Sequence, residues 1–348
     1  MHINFGKSTV VPMHVGNDVV QECVGLLGCR QEGFSHTYLG LPLSNEKLNM
    51  AAMAPLFRRS DRYLAGWQPA LLIHKSRTVL INAVLDALPT YLMSALQLPL
   101  GAIDKYDEQR RAFLWSGEDT VSGAQCLVAW DVVTGPLEKG GLRVRDIAVQ
   151  NNCMLLKLIH RMFTAMDSSW VRWVRSRADL SNLTGDMEGT HWPGLRQLLP
   201  IYQSITSTAA LYRLVLSVTS LDYNFYKFVW KRRAPQRIRF FGWLMVQGRI
   251  QCKTNLLKNI VDDDNCDVCG ATGENTDHIM FGCSFTRSFW TAIGVGLPPN
   301  PSMSRPCELQ WPSSIPTKHW DTLAVLCYWQ VWKHRNKVIF RKEPPSLA

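Results

Sequence analysis

No run of this 348-residue chain is long and apolar enough to cross a membrane. The most hydrophobic stretch, LPTYLMSALQLPLGAI at 88–103, is interrupted by Pro89, Pro99 and Gly101, short of the roughly 18 to 20 apolar residues that a spanning helix needs. The start carries no basic n-region, apolar h-region and cleavage site, so the expected setting is intracellular, cytoplasmic or nuclear, and not secreted. Catalytic signatures are missing too. A G-x-S-x-G elbow, a G-x4-G-K-[ST] phosphate loop and an H-E-x-x-H pair do not occur, which removes the usual sequence handles for a nucleophilic hydrolase, a nucleotide cradle and a zinc protease. No unit of about 20 to 50 residues repeats, which argues against a solenoid.

Acid is the scarce charge. Against 38 Lys and Arg stand 28 Asp and Glu, a formal charge of +10, and a basic balance favours polyanionic partners such as nucleic acid. The imbalance is sharpest in YKFVWKRRAPQRIRFFGWLMVQGRIQCKTNLLKNI (226–260), where Lys227, Lys231, Arg232, Arg233, Arg237, Arg239, Arg249, Lys253 and Lys258 occur with no acidic residue. Interleaved Tyr226, Phe228, Trp230, Phe240, Phe241 and Trp243 suit either of two roles: surfaces on which bases stack, or the core of an amphipathic helix pair whose charges are solvated. The reading taken is that these aromatics are mostly core, with Lys231, Arg232, Arg233, Arg237, Arg239, Arg249 and Lys253 forming a face for phosphates.

Cysteine is plentiful: ten residues, at 23, 29, 126, 153, 252, 266, 269, 283, 307 and 327. In a reducing compartment clustered cysteines are metal ligands before they are disulfides. The cluster that matters is CDVCGATGENTDHIMFGC (266–283), which spaces Cys266, Cys269, His278 and Cys283 as C-x2-C-x8-H-x4-C. A C-x2-C turn brings two sulfurs to one ion, Gly270 supplies a permissive backbone angle after it, and the helix-like HIMF run is stopped by Gly282. Four protein ligands leave no open position for water, so the pattern predicts one structural Zn2+. The alternative for these cysteines is burial as small apolar side chains. Asp262, Asp263 and Asp264 beside the cluster read as a solvated turn, and His74 and His160 as packing or surface residues.

The pattern of the whole chain is mainly α. Short β-like pieces occupy residues 1–45, around INFGKSTVVPM and YLGLPL, and helical periodicity begins at Lys47. RTVLINAVLDALPTYLM (77–93) reads as a buried helix kinked or ended at Pro89. AIDKYDEQRRAFLWSG (102–117) reads as an amphipathic helix with Gly117 past its end. Residues 118–150 are Gly-rich and irregular, helices follow at 151–163 and 168–175, and the polar stretch 176–194 is the best linker. After the cluster, Phe285, Phe289 and Ile293 form an i, i+4, i+8 stripe, and a Pro-rich loop leads to a last amphipathic helix over KHWDTLAVLCYWQVWKHRNKVIF.

Read together, these segments resemble the C-terminal part of the reverse-transcriptase polyprotein of plant LINE-type, non-LTR retrotransposons. INFGKS (3–8), YLGLPLS (38–44), LAGWQPALLIHKSRTVLINAVLDALPTYLMSALQLP, FLWSG, VAWDVV, GGLRVRDI and WKRRAPQRIRFFGWLMVQGRI occur in one order over nearly the whole chain. The resemblance implies a remnant of the polymerase palm (1–45), a thumb-like helical region (46–120), a helical connector and linker (121–208), a reverse-transcriptase-type zinc-binding domain (209–295), and a Pro-rich loop with C-terminal helix (296–348). It assigns the metal to the same four residues and leaves Cys252 outside the cage. It also implies that the paired aspartates of nucleotidyl transfer lie upstream of this chain, as would an endonuclease, with any ribonuclease H domain downstream. The expected function is therefore non-catalytic: zinc-dependent, largely sequence-independent binding of RNA or DNA, alongside other parts of the element's machinery and without a membrane. The rival expectations are a zinc-stabilised protein-interaction or structural domain and an inert product of a decayed element.

Overall fold

The computed structural model describes residues 8–13, 15–33, 36–44, 48–177, 207–219, 225–231, 233–256 and 263–346. Helix accounts for 59% and strand for 4%, so burial is achieved by helix on helix and the mainly α expectation holds. Strands β1 (Thr9–Val10) and β2 (Arg30–Gln31) pair in parallel across helix α1 (Asn17–Leu27), and β3 (His36–Tyr38) with β4 (Leu41–Leu43) form an antiparallel hairpin. Helix α1 is absent from the sequence expectations because Val19, Val20 and Val24 weaken its helical signal.

Helices α2 (Ala54–Gly66), α3 (His74–Ala83), the single turn α4 (Thr90–Met93) and α5 (Leu100–Trp115) follow. The run expected to be helical up to Pro89 stops earlier, at Ala83, and passes through a 3-10 turn at Leu85–Ala87. The cause is tertiary. Asp86, fully buried, pairs with Arg110 of α5 at 2.7 Å, and the Tyr106 hydroxyl donates to the Leu85 carbonyl at 2.7 Å. Both contacts pull the chain out of helical register. Arg110 also pairs with Asp107 and donates to the Arg145 carbonyl at 2.6 Å, so both terminal nitrogens of the buried guanidinium find acceptors. Arg77 of α3 reaches the carbonyls of Phe113, Leu114 and Trp115 at 3.3–3.4 Å, closing the C-terminus of α5 with a cation.

The Gly-rich stretch carries a short helix α6 (Trp130–Thr134) and a tight loop behind it. Gly140 adopts φ +84°, and a Cβ on Gly141 would come within 2.0 Å of the Gly135 carbonyl oxygen; only glycines permit that approach. Helices α7 (Ile147–Thr164) and α8 (Ser169–Arg177) follow. Buried Asn151 of α7 donates to the carbonyls of Met93 and Leu96 and accepts from the Leu98 amide. The linker predicted at 176–194 lies almost wholly outside the described residues. Helix α9 (Thr208–Thr219) packs on α7 around Cys153, Leu155, Leu156 and Leu211, and the Asp146 amide donates to the Tyr212 hydroxyl at 2.8 Å.

The zinc-ligand region is built from α10 (Tyr226–Trp230), α11 (Gln236–Val246), the turn α12 (Lys253–Leu256), a π-helical turn at His278–Gly282, α13 (Ser284–Ala292) and the long terminal α14 (Trp320–Arg341). Helix α11 packs between α3 and α14. One apolar core runs continuously from Met53 through Leu114 and Trp243 to Val331. Trp243 locks the two halves: its indole N–H donates to the Gly140 carbonyl at 2.6 Å and its ring stacks on Trp115 at 6.5 Å. Of the expected stripe, Phe285 and Phe289 are half-buried on α13 and Ile293, just past its end, is 39% exposed. The fully buried residues of α13 are Thr286 and Trp290, whose side chains donate to the Ile279 and Met280 carbonyls at 2.8 and 2.9 Å. No helix among the described residues is long and apolar enough to cross a membrane.

Candidate metal centre

The four cluster residues converge as their spacing suggests. One ligand atom from each of Cys266, Cys269, His278 and Cys283 lies within 4.8 Å of every other, and Cys269 Sγ is 3.4 Å from His278 Nε2. Cys266 and Cys283 are buried and the other two half-buried. Among the described residues this is the one place where three or more His, Cys, Asp or Glu side chains converge in this way.

The backbone explains the convergence. At the first pair, the Gly270 amide donates to the Cys266 carbonyl at 2.7 Å and the Cys266 amide to the Ala271 carbonyl at 2.8 Å, with Gly270 at φ +75°. That closed turn also aims the Val268 and Cys269 amides at the Cys266 sulfur. The H-x4-C spacing of the second pair has its own explanation. On an α-helix a residue five places on lies about 140° round the axis, but here the Cys283 amide donates to the His278 carbonyl at 2.7 Å, an i+5 bond that closes a π-helical turn. Such single π turns recur at functional sites. A Cβ on Gly282 would stand 3.3 Å from His278 Nδ1, so the glycine leaves room for the ring. Asn275 caps the turn by accepting from the His278 amide at 2.8 Å.

Electrostatics set the two buried sulfurs apart. Cys283 is held below the ordinary thiol value chiefly by the hydrogen bond from Cys266, helped by the Thr286 and Phe285 amides at the N-terminus of α13. Cys266 is pushed up by the same bond and then by burial. A divalent cation held between them would take both as thiolates. The donor set, three sulfurs and one imidazole with backbone N–H groups on the sulfurs, fits one tetrahedral zinc of the structural class.

Behind the ligands lies a support that the spacing did not reveal. Glu274, fully buried, pairs with Arg335 of α14, and its carboxylate also accepts from the Lys253 amide at 3.1 Å. Asp277 accepts from the Met303 amide at 2.6 Å and from the Ser302 hydroxyl at 3.0 Å, tying the Pro-rich loop to the cluster. Phe285 stacks on His334 with ring centroids 4.1 Å apart. Asn275 was open to detection as a helix-capping residue before HIMF; Arg335, 61 residues from its partner, had no local signal.

The predicted phosphate contacts divide into two groups. Lys231, Arg233, Arg237 and Arg249, with Lys227, lie at exposed positions. Arg239 is half-buried and donates to the Trp230 carbonyl at 3.3 Å. Lys253 sits 3.2 Å from both Asp263 and Asp267, so it is already engaged beside the cluster. Arg232, Lys258 and Asp262 lie outside the described residues. The aromatics are mainly core, as expected: Phe228, Phe240, Phe241 and Trp243 are all buried. Asp263 is exposed and caps the Asn265 amide at 2.9 Å, the behaviour of a solvated turn.

Comparison with known proteins agrees with this geometry. Residues 207–290 match the family model described as zinc-binding in reverse transcriptase. A protein of Arabidopsis thaliana named "Putative ribonuclease H protein" is 26% identical over 152 residues, 44% of this chain and 24% of that protein. The chain thus aligns with about a quarter of the length of this curated relative. Since all four ligands fall inside the matched segment, residues 207–290 form a retroelement-related zinc-binding domain with a site for one structural zinc.

Proposed function

We propose that this chain is a zinc-stabilised, non-catalytic nucleic-acid-binding part of a plant LINE-type, non-LTR retrotransposon reverse transcriptase, with thumb-like and connector helices packed against its zinc-binding domain. The observation that carries the reading is the placement of Lys227, Lys231, Arg233, Arg237 and Arg249 at exposed positions on and around α10 and α11, within the segment that matches the family model for zinc-binding in reverse transcriptase. The zinc would fix the ligand loop and the π turn, and the cations neutralise phosphates of a template or target. The tie-up of Lys253 with Asp263 and Asp267 favours a second reading, in which the charges near the cluster serve structure or a protein partner.

Salt dependence separates the two. If about five cations contact phosphates, the slope of log affinity against log salt is about −4.5 on duplex DNA and about −3.5 on single strands. Replacing Lys231, Arg233, Arg237 and Arg249 together by Gln flattens the duplex slope to about −1 and leaves zinc content at one per chain. A parent that binds no oligonucleotide at low salt, or a variant with the parent's slope, hands the case to the structural reading. Primer extension on an RNA template stays at background for the non-catalytic assignment to stand.

A further inference from the structure

A groove of about 290 Å³ opens where α3, α11 and α14 meet, at a junction that reaches beyond both ends of the matched segment 207–290. Its cations are Lys75 of α3, Arg237 of α11 and Arg249 just past α11, and no carboxylate is among the described residues that line it. Its walls are aromatic: Phe240, stacked on His74 at 5.3 Å, and the half-buried Trp329 and Trp332 of α14. The volume lies at the small end of the roughly 300–1,000 Å³ usual for ligand sites. Cationic rim and aromatic wall are the two elements that single-stranded nucleic acid requires, one for the backbone and one for a base.

The charges here crowd one another. Lys75 lies over the Trp230 ring at 5.3 Å. It is held below its ordinary value by burial first and then by the neighbouring charges of Arg239 and Arg143. An anion entering the groove relieves that repulsion.

We propose that this groove binds one nucleotide of a single-stranded nucleic acid, with its base against Trp329 and Trp332 and the adjoining phosphates on Lys75, Arg237 and Arg249. The inference rests on the nucleic-acid reading above and deepens it. Surface cations hold phosphates of any strand, whereas this groove admits a base, which a duplex keeps stacked and paired.

The test compares the zinc-loaded full chain on short single strands of DNA and of RNA, on strands of the same length made of abasic sugars, and on a duplex, all at low salt. The expected result is that base-bearing single strands, of either sugar, bind about 5- to 150-fold more tightly than abasic ones. Trp329→Leu and Trp332→Leu, which keep apolar volume, abolish that preference and leave duplex affinity and zinc content unchanged. With the unaltered protein, photocrosslinking of a strand carrying 5-iodouracil labels the peptide holding Trp329 and Trp332. Equal affinity for abasic and base-bearing strands, or labelling confined to other peptides, overturns the groove assignment while the general nucleic-acid reading stands. Absence of binding to every strand overturns both.

Discussion

The two halves of this molecule bury charge for different ends. In the helical half, Arg110 sits fully buried between Asp86 and Asp107 and also serves the Arg145 carbonyl. Around that ionic centre lies a thick apolar core of Met53, Ile81, Leu85, Tyr106 and Leu114. In the zinc half, buried Glu274 and Arg335 link the ligand loop to α14, but the loop itself, from Asp263 to Asn275, contains no helix or strand. Its backbone bonds are spent on turns that point at sulfur. A helix pays for its own order through repeated hydrogen bonds and an apolar face; a knuckle has neither and depends on the metal.

The comparison predicts its largest break on metal removal. Structural zinc supplies on the order of 10 kcal/mol of apparent binding free energy at neutral pH, so chelation or Cys269→Ser is expected to strip hydrogen-exchange protection from the π turn and α13 and to loosen α14. Protection in α5 persists. If α5 and α13 lose protection together, the two halves form one cooperative unit and the metal supports both.

The converse break lies in the helical half. Arg110→Met leaves buried Asp86 and half-buried Asp107 without their cation, and breaking a buried pair in this way costs about 3–5 kcal/mol. Denaturant midpoints should fall accordingly while zinc content stays at one per chain. A loss of zinc in this variant would mean that the ionic centre shapes the metal site through Trp243 and Gly140.

The finest contrast concerns the cap of the π turn. Asn275→Ala removes the acceptor for the His278 amide, and a lost helix cap costs about 1 kcal/mol, which corresponds to a zinc affinity lower by about fivefold. Competition with a chromogenic chelator measures it. An unchanged affinity would show that the metal alone orders the turn.

How much of this was legible beforehand differs between the halves for the same physical reason. The metal site is local: all four ligands fall within 18 residues of sequence, and C-x2-C with Gly270 closes its own turn, so residue types and spacing sufficed to find it. The helices with strong periodicity, α5 and α14, were equally legible. What failed were features that depend on distant partners. The helix expected to reach Pro89 ends at Ala83 because Asp86 is drawn to Arg110, and the deepest burial on α13 falls beside the Phe285–Phe289 stripe because Trp290 and Thr286 find carbonyls on the π turn.

The sequence by itself determined the helical class, the zinc ligands and the basic character of residues 226–260, since composition, period and short spacings are properties of neighbouring residues. Only the tertiary structure decided which cations remain exposed, that Glu274 meets Arg335 across 61 residues, and that Lys75, Arg237, Arg249 and two tryptophans share one groove. Those outcomes are set by how α3, α11 and α14 pack on one core, and packing brings together residues whose separation along the chain carries no record of it.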